Sequence, residues 1–162
     1  MLLGMPDIEL TPPPLTPYLT VADAQAAISF LERAFGAKVL SKNPTPDGTK
    51  LIHAALQLEN GGLVMLSDDF PERHGGKPSD PQGLGGASVT MHLDLPDVDA
   101  VFARAVQAGA SVAMPLADMF WGDRYGIVVD PSGHRWSLAT RKKVATAEEI
   151  RTGSEQHFPG KS

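Results

Sequence analysis

One pattern of strand, helix and stop occurs twice in this chain, and that duplication limits the fold more than any other feature. Leu19-Thr20-Val21-Ala22-Asp23 leads into Ala26, Ala27, Ile28 and Leu31, then into Ala34-Phe35-Gly36-Ala37. Later, Leu93-Asp94-Leu95-Pro96-Asp97 leads into Ala100, Val101, Phe102 and Ala105, then into Ala108-Gly109-Ala110. The copies also end alike, with Asn60-Gly61-Gly62 before Leu63-Val64-Met65-Leu66 and Ser132-Gly133-His134 before Arg135-Trp136-Ser137-Leu138. A stacked solenoid needs about three units or more. Two copies therefore read as a pseudo-symmetric single domain, with a ligand site expected between the halves.

The local signals place the elements. Asp23 and Asp97 are N-cap residues for helices that stop at Gly36 and near Gly109, where a left-handed turn suits glycine. The first unit has strands over 15–21, 38–43, 51–58 and 63–67, the middle two joined by the turn Pro46-Asp47-Gly48. The second unit has a strand over 88–95, then strands near 111–114, 125–130 and 135–139. Residues 1–14, ending in Pro12-Pro13-Pro14, read as an extended arm. Residues 15–150 form one domain, its units 15–68 and 87–140 joined by a Gly/Pro/Asp-rich linker over 69–86. Thr146-x-x-Glu149 has capping-box spacing for a short helix, and 151–162 are expected as a flexible tail.

Bulk properties exclude several classes. The chain has 162 residues, 42% of them hydrophobic, enough for one sizeable core. It contains no apolar run that could span a bilayer and no leader of the signal-peptide kind. A net charge of −5, with Arg141-Lys142-Lys143 as its single short basic run, argues against a nucleic-acid surface. With no cysteine there is neither a disulfide nor a thiolate ligand or nucleophile, which fits a cytoplasmic protein.

Strand alternation sorts the side chains that could carry chemistry. Tyr18, His53, Gln57, Thr90, His92 and Asp94 fall on the faces turned away from the helices. His53 or His92 could act as a general acid or base, with Tyr18 or Asp94 beside it. His53, His92 and Asp94 could also bind a divalent metal, provided that they converge. The competing reading keeps each histidine hydrogen-bonded on its own strand. Phe120-Trp121-Gly122-Asp123-Arg124 could wall a pocket, Trp121 stacking on a ligand and Arg124 holding its anionic end. The alternative is a structural Asp123–Arg124 pair, with Trp121 in the core or a dimer seam. Trp136 falls on the helix side and is expected in the core. His74 and His157 are expected in solvent, His134 is expected to decorate its strand, and Asp68, Asp69 and Glu72 read as a solvated acidic turn. There is no nucleophile elbow and no phosphate loop, since Gly83-Leu84-Gly85-Gly86 precedes a strand.

Taken in order, several strings resemble the vicinal oxygen chelate superfamily of glyoxalases, bleomycin-resistance proteins and extradiol dioxygenases, and within it the PhnB-like branch. They are Pro17-Tyr18-Leu19-x-Val21-x-Asp23, Ala34-Phe35-Gly36-Ala37, Pro46-Asp47-Gly48 before His53, Phe120-Trp121-Gly122-Asp123-Arg124 and Asp130-Pro131-Ser132-Gly133-His134-x-Trp136. The resemblance implies an α+β fold, two βαβββ units forming an incomplete eight-stranded barrel, with a cleft lined by Tyr18, His53, Thr90 and Ser137. It also implies a homodimer, whose partner covers the open sheet edges. In metal-dependent members the ligands come from the first and last strands of each unit, which correspond here to Thr16, Met65, Thr90 and Ser137. None of these is a histidine or a carboxylate, so no metal cofactor is expected at those positions. Two functions stay open: a small-molecule binder without the usual metal, or a metal-dependent lyase, isomerase or dioxygenase using the displaced set His53, His92 and Asp94.

Overall fold

A computed structural model of the chain describes residues 12–158. The first unit comprises β1 (Tyr18–Val21), α1 (Ala24–Phe35), β2 (Lys38–Pro44), β3 (Leu51–Gln57) and β4 (Leu63–Asp68). After a 3-10 turn at Pro71–Arg73 and the short helix α2 (Pro81–Leu84), the second unit repeats the order. It comprises β5 (Thr90–Asp94), α3 (Val98–Gln107), β6 (Ser111–Asp118), β7 (Asp123–Val129) and β8 (Arg135–Arg141), and α4 (Ala147–His157) follows. The fold is α+β with two βαβββ units. The sheets have matching orders, β1-β4-β3-β2 and β5-β8-β7-β6, and they do not close into one barrel. The proline-rich arm lies outside the described residues as far as residue 11.

The duplicated signals do the same work in each unit. Asp23 accepts from Ala26 N at 2.9 Å and Asp97 from Ala100 N at 3.1 Å. Each helix start is also tied to the end of its unit's last strand, Ala24 N donating to Asp68 Oδ1 and Val98 N to Thr140 Oγ1. Gly36 closes α1 at φ 58°, the left-handed conformation expected from its position.

The apolar stripes of α1 and α3 and the inner faces of both sheets merge into one core. The helices contact each other, and each sends an arginine to the other's end: Arg33 Nη2 donates to Ala108 O and Arg104 Nε to Ala34 O. Trp136 is fully buried at this junction, its ring 4.8 Å from that of Phe35. Its indole N–H donates to the buried Asp130 at 2.8 Å. His134 does more than decorate a strand, because its Nε2 donates to Thr20 O at 3.1 Å and joins the second unit to the first.

Two expectations need correction. Asp68 and Asp69 do not form a solvated turn. Both are buried, Asp68 accepting from Ala24 N and Leu51 N, and Asp69 from the backbone and hydroxyl of Ser79. These bonds pin both ends of the linker's first half. The expected flexible tail is helical through His157, because Gly153 of α4 lies flat on Phe120, where a Cβ would come within 2.3 Å of that side chain.

The capping box of α4 forms as the spacing predicts, with Thr146 and Glu149 satisfying each other's backbone N–H. The Lys143 ammonium and the Thr146 N–H hold the Glu149 carboxyl down to about 2. A carboxyl lowered on folding stabilises the fold above the ordinary carboxylate range, and that contribution is lost as pH falls toward 2. The protection of α4 amides, taken relative to their intrinsic exchange rates, should accordingly fall between about pH 4.5 and 2, while Glu149→Gln should show lower protection already at pH 7. Protection in α4 that is indifferent to both changes would refute this role.

Candidate functional site

On each sheet the face opposite its helix carries an imidazole–phenol pair. In the first unit, Tyr18 on β1 and His53 on β3 flank the last strand, the Tyr18 hydroxyl lying 2.9 Å from His53 Nδ1 and 3.3 Å from Ile52 O. In the second, His92 on β5 and Tyr125 on β7 flank β8, their rings stacked with centroids 6.3 Å apart. The ladders make the two pairs equivalent. Tyr18 lies opposite Met65 and His92 opposite Ser137, so the two residues share a position, with tyrosine and histidine exchanged between units. Partial desolvation pushes the phenol of the half-exposed Tyr18 up, and a hydrogen bond with Ser67 opposes that shift.

This register also moves the positions implied by resemblance. Thr16 precedes β1 and bonds to Pro13 O, and Thr90 lies opposite Arg135. The residues across from Met65 and Ser137 are Tyr18 and His92. The resulting set of phenol, thioether, imidazole and hydroxyl has one good donor for a transition metal and no carboxylate, so it does not fit a hard or borderline divalent cation.

The displaced set is not assembled either. His53 lies on one sheet and His92 and Asp94 on the other, and the units meet through α1 and α3 on the opposite faces. Among the described residues, no three His, Asp or Glu side chains are grouped to hold a metal ion.

His92 Nδ1 lies 2.8 Å from Ser137 Oγ, and His92 Nε2 is 3.5 Å from Asp94. The order of groups is that of a serine hydrolase, but Ser137 is 4% exposed and cannot meet a substrate. Its hydroxyl orients the imidazole.

Arg124 is the main correction. It does not form an anion fork in the cleft, nor does it pair with Asp123. Alternation along β7 turns Arg124 to the helix side together with Gly126 and Val128. There its guanidinium grips Asp99 of α3 at 2.7–2.9 Å and Asp118 of β6 at 3.2 Å. The bidentate contact raises the arginine and lowers the Asp99 carboxyl. Asp123 pairs instead with Arg141.

Trp121 is half-buried and packs edge-on against Tyr125 at 5.5 Å, so it extends the aromatic row that ends in His92. Gln57 and Thr90 are exposed on their sheet faces without side-chain partners in the described residues. Tyr125 and Arg135 were missed by sequence reasoning. Aligning His53 with its counterpart on β7 would have found the tyrosine. Arg135 alternates with Ser137 on β8, is half-buried, and makes no salt bridge among the described residues.

Comparison with known proteins bears on this geometry. The family model described as Glyoxalase/Bleomycin resistance protein/Dioxygenase superfamily matches residues 13–138. The chain is 50% identical over 148 residues to the uncharacterized protein Mb0911c of Mycobacterium bovis, covering 91% of this chain and 96% of that one. Among solved structures it is similar to TioX from Micromonospora sp. ML1, at 28% identity and a TM-score of 0.58, covering 78% of this chain and 97% of TioX. It is also similar to a gene product of Arabidopsis thaliana, at 26% identity and a TM-score of 0.61, covering 77% and 96% of the two chains.

Proposed function

The chain belongs to the glyoxalase/bleomycin resistance protein/dioxygenase superfamily, and on that premise we propose that it binds a small planar organic anion without the superfamily's metal. The observation that carries this reading is the exchanged pair, Tyr18–His53 on one sheet and His92–Tyr125 on the other. Each offers a ring face for stacking and a polar edge for hydrogen bonding. Arg135, beside Thr90 and His92, supplies the charge for the ligand's carboxylate, sulfonate or phosphate.

A closed site needs the two faces to oppose each other, and within one chain they do not. A homodimer in which the first sheet of one copy faces the second sheet of its partner completes the cleft. The exposure of Tyr18, Thr90, His92 and Asp94 in the single chain supports this arrangement. The order of the motif strings supports placement in the PhnB-like branch. The absence of cysteine supports a cytoplasmic setting, and no helix among the described residues is long and apolar enough to cross a membrane.

A thermal-shift screen of aromatic carboxylates, with metal analysis of protein purified without chelators, tests the proposal. For a hit, Arg135→Ala should weaken binding by about 1.5–3 kcal/mol, the range for a hydrogen bond to a charged group. Arg124→Ala, on the other side of the sheet, should leave affinity unchanged. Equal losses in both variants would sink the assignment of the cleft. A stoichiometric transition metal lost on His53→Ala would revive the lyase, isomerase or dioxygenase alternative with His53, His92 and Asp94.

A further inference from the structure

A cavity of about 530 Å³ lies at the seam between the units, between the free edges of β1 and β5 and under the linker. Its floor includes Leu19 and Met91, which are 6% and 8% exposed and belong to the shared core. Its wall includes Leu84 at the end of α2 and Val89 just before β5, each 66% exposed, large apolar side chains with little protein to cover them. Among the described residues, no Lys, Arg, Asp or Glu lines it. The polar lining includes Ser88 and His134. The bond from His134 Nε2 to Thr20 O fixes the proton on that nitrogen in the neutral ring and leaves Nδ1 as an acceptor.

We propose that this seam is a second binding site, for an uncharged, largely apolar small molecule bearing one hydroxyl or N–H donor. The lining decides the class. A charged ligand would lose its hydration there without a countercharge. An apolar body would cover Leu84 and Val89 and extend the core that begins at Leu19 and Met91. The donor would meet His134 Nδ1 or the Ser88 hydroxyl. The volume falls within the range of small-molecule sites, and junctions between structural units are a common place for them. A concave site floored by core residues suits a small molecule better than a flat protein partner. The seam shares Tyr18 with the first sheet face, and none of His53, His92 or Tyr125 lines it.

N-phenyl-1-naphthylamine, an uncharged fluorophore with a single N–H, is a suitable probe for the full chain. Its fluorescence should saturate at one molecule per chain with micromolar affinity. Leu84→Lys and Val89→Glu, at exposed positions, should each weaken binding at least tenfold, and His92→Ala should leave it intact. Absence of saturable binding, or wild-type affinity in both wall variants, would overturn the proposal. So would loss in His92→Ala alone, which would put the probe on the sheet face. Conversion of a dimer to a monomer by the wall variants, with probe binding unchanged, would also overturn it by making the wall an interface between copies.

Discussion

Trp136→Ala is expected to lower the free energy of unfolding by about 3–5 kcal/mol, the range for emptying a buried aromatic site. The indole is fully buried where the two units meet, packed on Phe35, so few neighbours can collapse into the space. Its loss also removes a donor from Asp130. Burial pushes that carboxyl up, while the Trp136 indole and the backbone N–H groups of His134 and Ser132 oppose the shift. Trp136→Phe separates the two effects. It keeps most of the packing but leaves one carboxylate oxygen unpaired, for a loss of about 1–3 kcal/mol. Urea unfolding of both variants measures the order. A loss under about 1 kcal/mol in the alanine variant would mean that the junction is not cooperative with the rest of the fold.

Gly122→Ala, in the β6–β7 turn, is expected to be strongly destabilising. Gly122 sits at φ 101°, and a Cβ there would lie 2.2 Å from Lys143 O, a backbone atom that cannot rotate away. The Gly122 carbonyl also accepts from Lys142 N at 2.9 Å and Lys143 N at 3.0 Å, which fixes the segment leading from β8 to α4. The positive φ alone costs a non-glycine residue about 1–3 kcal/mol, and the clash adds to that by displacing the segment. Gly48→Ala provides the control, because Gly48 has φ 72° with no atom within 4 Å of the added Cβ. Gly122→Ala should melt well below Gly48→Ala and gain a protease-sensitive site between residues 142 and 147. Equal melting temperatures would show that conformational strain, not the close approach to Lys143, governs the position.

The features legible in the sequence were those governed by near neighbours in the chain. The Asp23 and Asp97 caps, the Gly36 stop and the Thr146–Glu149 box each involve residues within one helical turn. Alternation placed Tyr18, His53, Thr90 and His92 on the faces turned from the helices and put Trp136 in the core. The repeated order of elements was enough for the two βαβββ units. Alternation assigns a face, but it does not name a partner. Asp99, which holds Arg124, comes from a helix that only folding lays across β7, and the same alternation rule, applied to Arg124, would have excluded it from the cleft.

Register was the second limit. Parallel pairing of β1 with β4 and of β5 with β8 joins strands far apart in the chain, and a shift of two residues preserves every face. Alignment alone therefore favoured Thr16 and Thr90, where the ladders put Tyr18 and His92. The sequence by itself determined the duplicated units, their caps and the lining of each sheet face, because short-range sterics and hydrogen bonding act there. Only the tertiary structure decided the ring pairings, the His134–Thr20 tie and the seam cavity, because each depends on how two separately legible units pack against each other.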